Sequence, residues 1–140
     1  MGVRSQRKKL HQDHAERWKK YPEVRVVNDQ IGTPTCTYDL ARLLVDMAGS
    51  EKYGYYHATN EGGYISWYDF TKEIFKQASY TAKVTPVTAE EYGLSKAAGL
   101  FNSRLDKSKL VEAGFEPLPT WQDALERYFK RFSIKDIEEP

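Results

Sequence analysis

Apolar positions along the chain fall into short blocks whose period changes from one block to the next. Val24, Val26 and Val27 form a β-branched run that predicts a strand at 24–27. Asn28 to Thr35 is rich in turn formers and reads as a loop. Leu40, Leu43, Leu44 and Met47 then recur at i, i+3, i+4 and i+7. This predicts an amphipathic helix over 38–48, stopped by Gly49. Tyr53 to Thr59 reads as a second strand and Asn60-Glu61-Gly62-Gly63 as a turn. Ser66 with Asp69, Thr88 with Glu91, and Thr120 with Asp123 each set a cap oxygen three residues ahead of an acid, which marks three helix starts. Behind Ser66, the residues Trp67, Phe70, Ile74 and Ala78 share a face of a helix over 66–78. Behind Thr120, the residues Trp121, Leu125, Tyr128, Phe129 and Phe132 share a face of a helix over 120–132. Val84 to Val87 is a short strand that Pro86 places at a sheet edge, and Asp106 to Val111 a short helix ending near Gly114. Strands alternating with helices predict an α/β layer arrangement.

The 140 residues suffice for one domain with a core of its own. No apolar run approaches the length of a membrane span, and the first residues carry no apolar leader, so the sequence predicts a cytoplasmic protein with no membrane partner. The single cysteine, Cys36, excludes internal disulfides and a cysteine-built zinc site. The net charge of +1 conceals an uneven distribution. Residues 1–20 hold seven of the Lys and Arg residues and only two acids, so the rest of the chain is net acidic. That body has no basic surface of the kind nucleic acid requires.

Few side chains suggest chemistry by themselves. His11 and His14 lie three apart, but no further metal ligands stand nearby. His57, inside an aromatic run, reads as a packed core histidine. Tyr68 with Lys72, and Tyr92 with Lys96, have the spacing at which a helix sets an ammonium one turn from a phenol, lowering the phenol's pKa for proton transfer. A nicotinamide enzyme would also need a Gly-rich phosphate loop, and the sequence contains no G-x-G-x-x-G or G-x-x-G-x-x-G. The loop from Asp29 to Thr35 is the better candidate. Gly32 and Pro34 shape its path beyond a strand's carboxyl end, where open α/β sheets bind ligands; an ordinary strand-to-helix turn would look the same. Asn102-Ser103-Arg104-Leu105-Asp106 is the second candidate. Arg104 could clamp a phosphate or instead pair with an acid such as Asp106.

Several segments carry a family resemblance: Val26 to Thr35 with Tyr38-Asp39-Leu40-Ala41, Tyr56 to Gly62 running into Ser66-Trp67-Tyr68-Asp69-Phe70, Asn102 to Asp106, and Gly114-Phe115 with Pro119-Thr120-Trp121. Over residues 21 to about 132 the chain resembles the carboxy-terminal part of the dTDP-4-dehydrorhamnose reductases, which are extended short-chain dehydrogenases. The resemblance implies the carboxy-terminal portion of a Rossmann-type NAD(P)-binding fold with its small substrate-binding lobe. It also implies NADPH- or NADH-dependent reduction of dTDP-4-dehydro-L-rhamnose, with the cofactor loop and the catalytic Tyr-x-x-x-Lys outside this chain. Where the family tends to carry Arg-Pro before the Asn-Ser stretch, this sequence has Gly99-Leu100, which puts a phosphate contact there in doubt.

Residues 1–20 are set apart as a basic head, and 21–140 as the reductase-like domain. The head can be re-read one base late as a plausible family segment, so an out-of-frame origin is the expectation, with a basic arm for anionic partners as the alternative. The implied partner is a dTDP-sugar nucleotide; alone, the chain is expected not to catalyse its reduction, and to self-associate or dock on a full-length reductase. The expected contacts are Gln30, Gly32, Thr33, Pro34 and Thr35, with Asn102, Ser103 and Arg104 opposite. A non-catalytic sugar-nucleotide-binding or regulatory module is the rival reading.

Overall fold

The computed structural model describes residues 22–93 and 101–131. Three two-stranded ladders and five helices make up this part of the chain. Strand β1 (Glu23–Val27) runs parallel to β5 (Lys83–Val87), with Val24 opposite Val84 and Val27 opposite Val87. Strand β2 (Ile31–Gly32) pairs antiparallel with β4 (Ile65–Ser66). Strand β3 (Asn60–Glu61) pairs parallel with β6 (Leu118–Thr120). The helices are α1 (Thr37–Ala48), α2 (Trp67–Gln77), α3 (Ala89–Tyr92), α4 (Ser108–Glu112) and α5 (Trp121–Arg131). Helix α2 packs on both β1 and β5, while α1 and α5 lie against β6. The α/β arrangement with parallel pairs is the one expected.

The capping residues act as their chemistry predicts. The Ser66 hydroxyl accepts from Asp69 N at 3.0 Å, and Thr120 Oγ1 accepts from Asp123 N at 3.2 Å. Thr88 and Glu91 form a complete capping box: Glu91 N donates to Thr88 Oγ1 and Thr88 N donates to the Glu91 carboxylate.

The core is a cluster of Leu43, Leu110, Phe115 and Leu118, with Leu40, Met47, Tyr56, Ala58 and Ala113 packed around it. Two expectations about helix faces need correction. Leu44 lies on the exposed side of α1, because the turn facing the cluster is completed by Leu40, Leu43 and Met47. On α2 the deeply buried residue is Phe75, whereas Trp67 is 55% exposed. The first turn of α2 overhangs a cavity and its last turn faces the strands. On α5, Trp121, Ala124 and Leu125 are buried and Tyr128 is 41% exposed; Phe132 lies outside the described residues.

The strand expected over 53–59 does not form. Tyr56 and Ala58 do turn inward, which gives the segment its alternating pattern, but among the described residues no neighbouring strand pairs with it. Gly54, with φ +141°, breaks the extension, and Tyr53 and Tyr55 are 86% and 95% exposed. Pairing begins only at Asn60–Glu61, inside the expected turn, and the turn is reduced to Gly62 and Gly63, both at positive φ. His57 is exposed at the surface, not packed in the core, because this segment has no strand partner to cover it.

Candidate functional site

The loop after β1 is held from both sides. Ile31 N donates to Phe101 O at 2.9 Å, and Ser103 N donates to Ile31 O at 2.9 Å. Ile31 thus forms a parallel bridge with Asn102, so the two candidate segments expected to face each other are neighbours. Gly32 leaves room for the Ser103 hydroxyl: a Cβ at this position would push that hydroxyl off its hydrogen bond to Ile31 O. Midway along the loop, Thr33 Oγ1 donates to Gly63 O at 3.3 Å.

Together these residues wall a cavity of about 220 Å³. Gln30, Gly32, Thr33, Pro34 and Ser103 line it on one side, and Ser66, Trp67 and Phe70 on the other. Thr35, Asn102 and Arg104 do not line it. Thr35 turns its hydroxyl back to Thr33 O, and the Asn102 side chain accepts from Arg104 N at 3.1 Å. The Arg104 guanidinium sits 5.3 Å from the centroid of the Tyr64 ring. It does not pair with Asp106, whose carboxylate accepts from Ser108 N at 2.8 Å. That bond, with a further one from the Ser108 side chain and the charge of His57, holds the Asp106 carboxyl below its usual value despite some desolvation.

A second, more open cleft of about 570 Å³ shares Thr33 with the first and is lined by Glu61, Tyr64, Asp106 and Lys107. Lys107 Nζ is held there by Glu61 at 2.9 Å and by Asn60 O at 3.3 Å. The chemistry on offer in the first cavity is an amide, hydroxyls and an aromatic wall. The cations stand beside the neighbouring cleft.

The shared face of Trp67, Phe70, Ile74 and Ala78 does not by itself announce that Trp67 and Phe70 wall a cavity. The available signal was a Trp placed directly after a helix cap and a Gly-Gly turn, where the first turn is least covered. Lys72 lies 4.9 Å from the Tyr68 ring centroid and 3.7 Å from the Asp69 carboxylate, so it is held over the ring face and by Asp69. Lys96, His11, His14, the basic head and Gly99-Leu100 lie outside the described residues. Among the described residues no cluster of His, Cys, Asp or Glu could hold a metal, and no helix is long and apolar enough to cross a membrane.

A buried polar hub stands behind the loop. Asn60 is completely buried. Its Oδ1 accepts from Cys36 N at 2.6 Å, and its Nδ2 donates to Asp39 Oδ2 and to Pro119 O, both at 2.8 Å. Asp39, 4% exposed, receives Arg127 Nη2 at 2.7 and 3.0 Å, and Arg127 Nε also bonds Asp123 at 2.7 Å. Burial alone would raise the Asp39 carboxyl. The hydrogen bonds from Arg127 and Asn60, with the charges of Arg127 and Arg42, outweigh it and hold the pKa below the usual value.

An α/β domain with a loop-lined cavity beyond a strand's carboxyl end has the form of a substrate-binding domain. The chain belongs to the RmlD substrate binding domain family, whose model matches residues 4–134 and so reaches back into the segment set apart as a head. The spore coat polysaccharide biosynthesis protein SpsK of Bacillus subtilis (strain 168) is 39% identical over 111 residues, covering 79% of this chain and 38% of that protein. A dTDP-4-dehydrorhamnose reductase of Streptomyces griseus is 38% identical over 112 residues, covering 76% and 36%. The crystal structure of a dTDP-4-dehydrorhamnose reductase from Bacillus anthracis, solved in complex with NADP, superposes with a TM-score of 0.76 at 38% identity, over 81% of this chain and 40% of that one. The chain therefore spans somewhat over a third of the length of the curated relatives it matches.

Proposed function

We propose that this chain is the carboxy-terminal, substrate-binding part of a dTDP-4-dehydrorhamnose reductase and that it holds the dTDP-sugar nucleotide. The observation that carries the reading is the convergence of Gln30, Gly32, Thr33, Pro34 and Ser103 on one cavity faced by Trp67 and Phe70. Such a cavity, largely preformed and with a few oriented polar groups, suits a small ligand. The backbone bonds between Ile31 and the 101–103 segment order the loop in advance, so little entropy remains to be lost on binding. Arg104 stands exposed beside the neighbouring cleft, where a guanidinium can meet a diphosphate.

Reduction of the sugar needs a positioned nicotinamide, and these 140 residues contain no Gly-rich dinucleotide loop. The cofactor, NADPH or NADH, therefore belongs to residues other than these, and the purified chain is expected to consume none. In the cytosol it would work through a second copy of itself or a full-length reductase.

Calorimetric titration of the chain with dTDP-L-rhamnose tests the binding role. Saturable heat is expected. Arg104→Ala is expected to weaken it about tenfold or more, as for the loss of roughly 1.5–3 kcal/mol of charged hydrogen bonding. A flat titration overturns the reading. Light scattering of the chain, alone and mixed with an intact reductase, tests the association.

A further inference from the structure

Helix α1 begins without a side-chain cap of its own. Cys36 occupies the N-cap position and offers no side-chain hydrogen bond. Asp39 sits where the acid of a capping box would stand, three residues on, as Glu91 does behind Thr88. Glu91 reaches back directly, taking Thr88 N at 2.8 Å. Asp39 does not take Cys36 N. The Asn60 side chain is inserted between the two: it accepts from Cys36 N and donates to Asp39.

We infer that Asp39 is a positioning residue for the ligand-facing loop, acting through Asn60 as a relayed capping box. An amide can be turned either way round, and its two ends differ in what they can bond. The Asp39 carboxylate and Pro119 O both demand the NH2 end of Asn60, so its oxygen must face Cys36 N. Cys36 directly follows the Gln30–Thr35 loop. Arg127, on α5 and 88 positions from Asp39 in sequence, holds the carboxylate in place. The end of the loop is thereby set by a charge pair between the first and last helices described. The other end is set separately by Ile31 and Ser103.

The part of this inference that concerns ligand rests on the sugar-nucleotide reading; the part that concerns the loop does not. Cys36 is the only cysteine and is free, so its thiol reports locally on the loop end. In Asp39→Asn, native-state labelling of Cys36 by an aromatic disulfide reagent is expected to speed up at least tenfold, and affinity for dTDP-L-rhamnose to fall at least tenfold. The control is Phe75→Ala, which removes a buried ring of α2 that does not line the cavity. With urea added to match global stability, it is expected to keep labelling and affinity within about twofold of the original chain. Equal acceleration of labelling in the two variants shows a global effect and overturns the inference. Failure of the unsubstituted chain to bind overturns the sugar-nucleotide reading alone, because the labelling contrast is still measured.

Discussion

The lobe around Leu43 and the strand pair β1–β5 are built on opposite terms. In the first, Leu43, Leu110 and Leu118 are almost fully out of water, and Asn60 has every side-chain polar atom bonded. In the second, Val24, Val26 and Val27 are only half-buried although the run is as apolar as a core strand, and Val87 is the one deeply buried residue of the pair. A two-stranded parallel ladder gains little by itself, and Pro86 removes one donor from it. The loop that walls the cavity runs from the end of β1 to the start of α1, and so joins the two regions in sequence.

Experiments can break this contrast. Leu43→Ala is expected to have the largest effect, about 2–5 kcal/mol in urea unfolding, because the cluster around it is closed and leaves a cavity. Val26→Ala, whose side chain is only partly buried, is expected to cost well under that. Equal losses at the two positions would erase the distinction between the regions.

Asp39→Ala comes next, at roughly 2–3 kcal/mol, since it leaves Asn60 with one partner fewer and Arg127 with one carboxylate. The loss stays below that of a fully buried ion pair because the Arg127 side chain is 38% exposed and water can re-solvate it. The same pair predicts a pH dependence. The folded-state pKa of Asp39 lies below the ordinary aspartate value, because the bonds from Arg127 and Asn60 outweigh its burial. Its contribution to stability is therefore fully present above the unfolded value, and is lost as the pH falls from about 4 through the lower folded value. Denaturation midpoints of Asp39→Asn between pH 5 and pH 2 are expected to fall less steeply than those of the unsubstituted chain.

Ser66→Ala is expected to cost about 1 kcal/mol, the ordinary effect of losing a helix cap. Thr88→Ala, at the head of a four-residue exposed helix, is expected to cost less. A reversed order would mean that the open region is held more by its caps than by packing.

The elements set by local rules were legible in the sequence. The β-branched run at 24–27, the helical period from Leu40 to Met47 and the three cap-acid pairs each lie within a few residues of one another, and each appears in place. The 53–59 segment misled because its inward residues alternate like a strand's, while a strand also requires a neighbour, which no local pattern supplies. The candidate site was half legible. Gly32 and Pro34 advertise an unusual loop, but the other wall depends on where α2 comes to rest. The hub was invisible for the same reason: Asn60 lies 24 residues from Cys36 and 59 from Pro119. Its sequence context, Asn-Glu-Gly-Gly, reads as a surface turn.

The uncovered Tyr53–Tyr55 segment also decides how the molecule comes apart under a protease. An aromatic-specific enzyme needs an accessible, unpaired stretch of backbone, and this one presents two tyrosines to it beside Gly54. Cleavage there would separate Leu43 from Leu110, Phe115 and Leu118, and β1 from β5. Each half would keep one face of the same cluster and one strand of the same ladder. The two pieces would therefore remain a single particle by gel filtration until denaturant is added, a nicked molecule held together by its own interior.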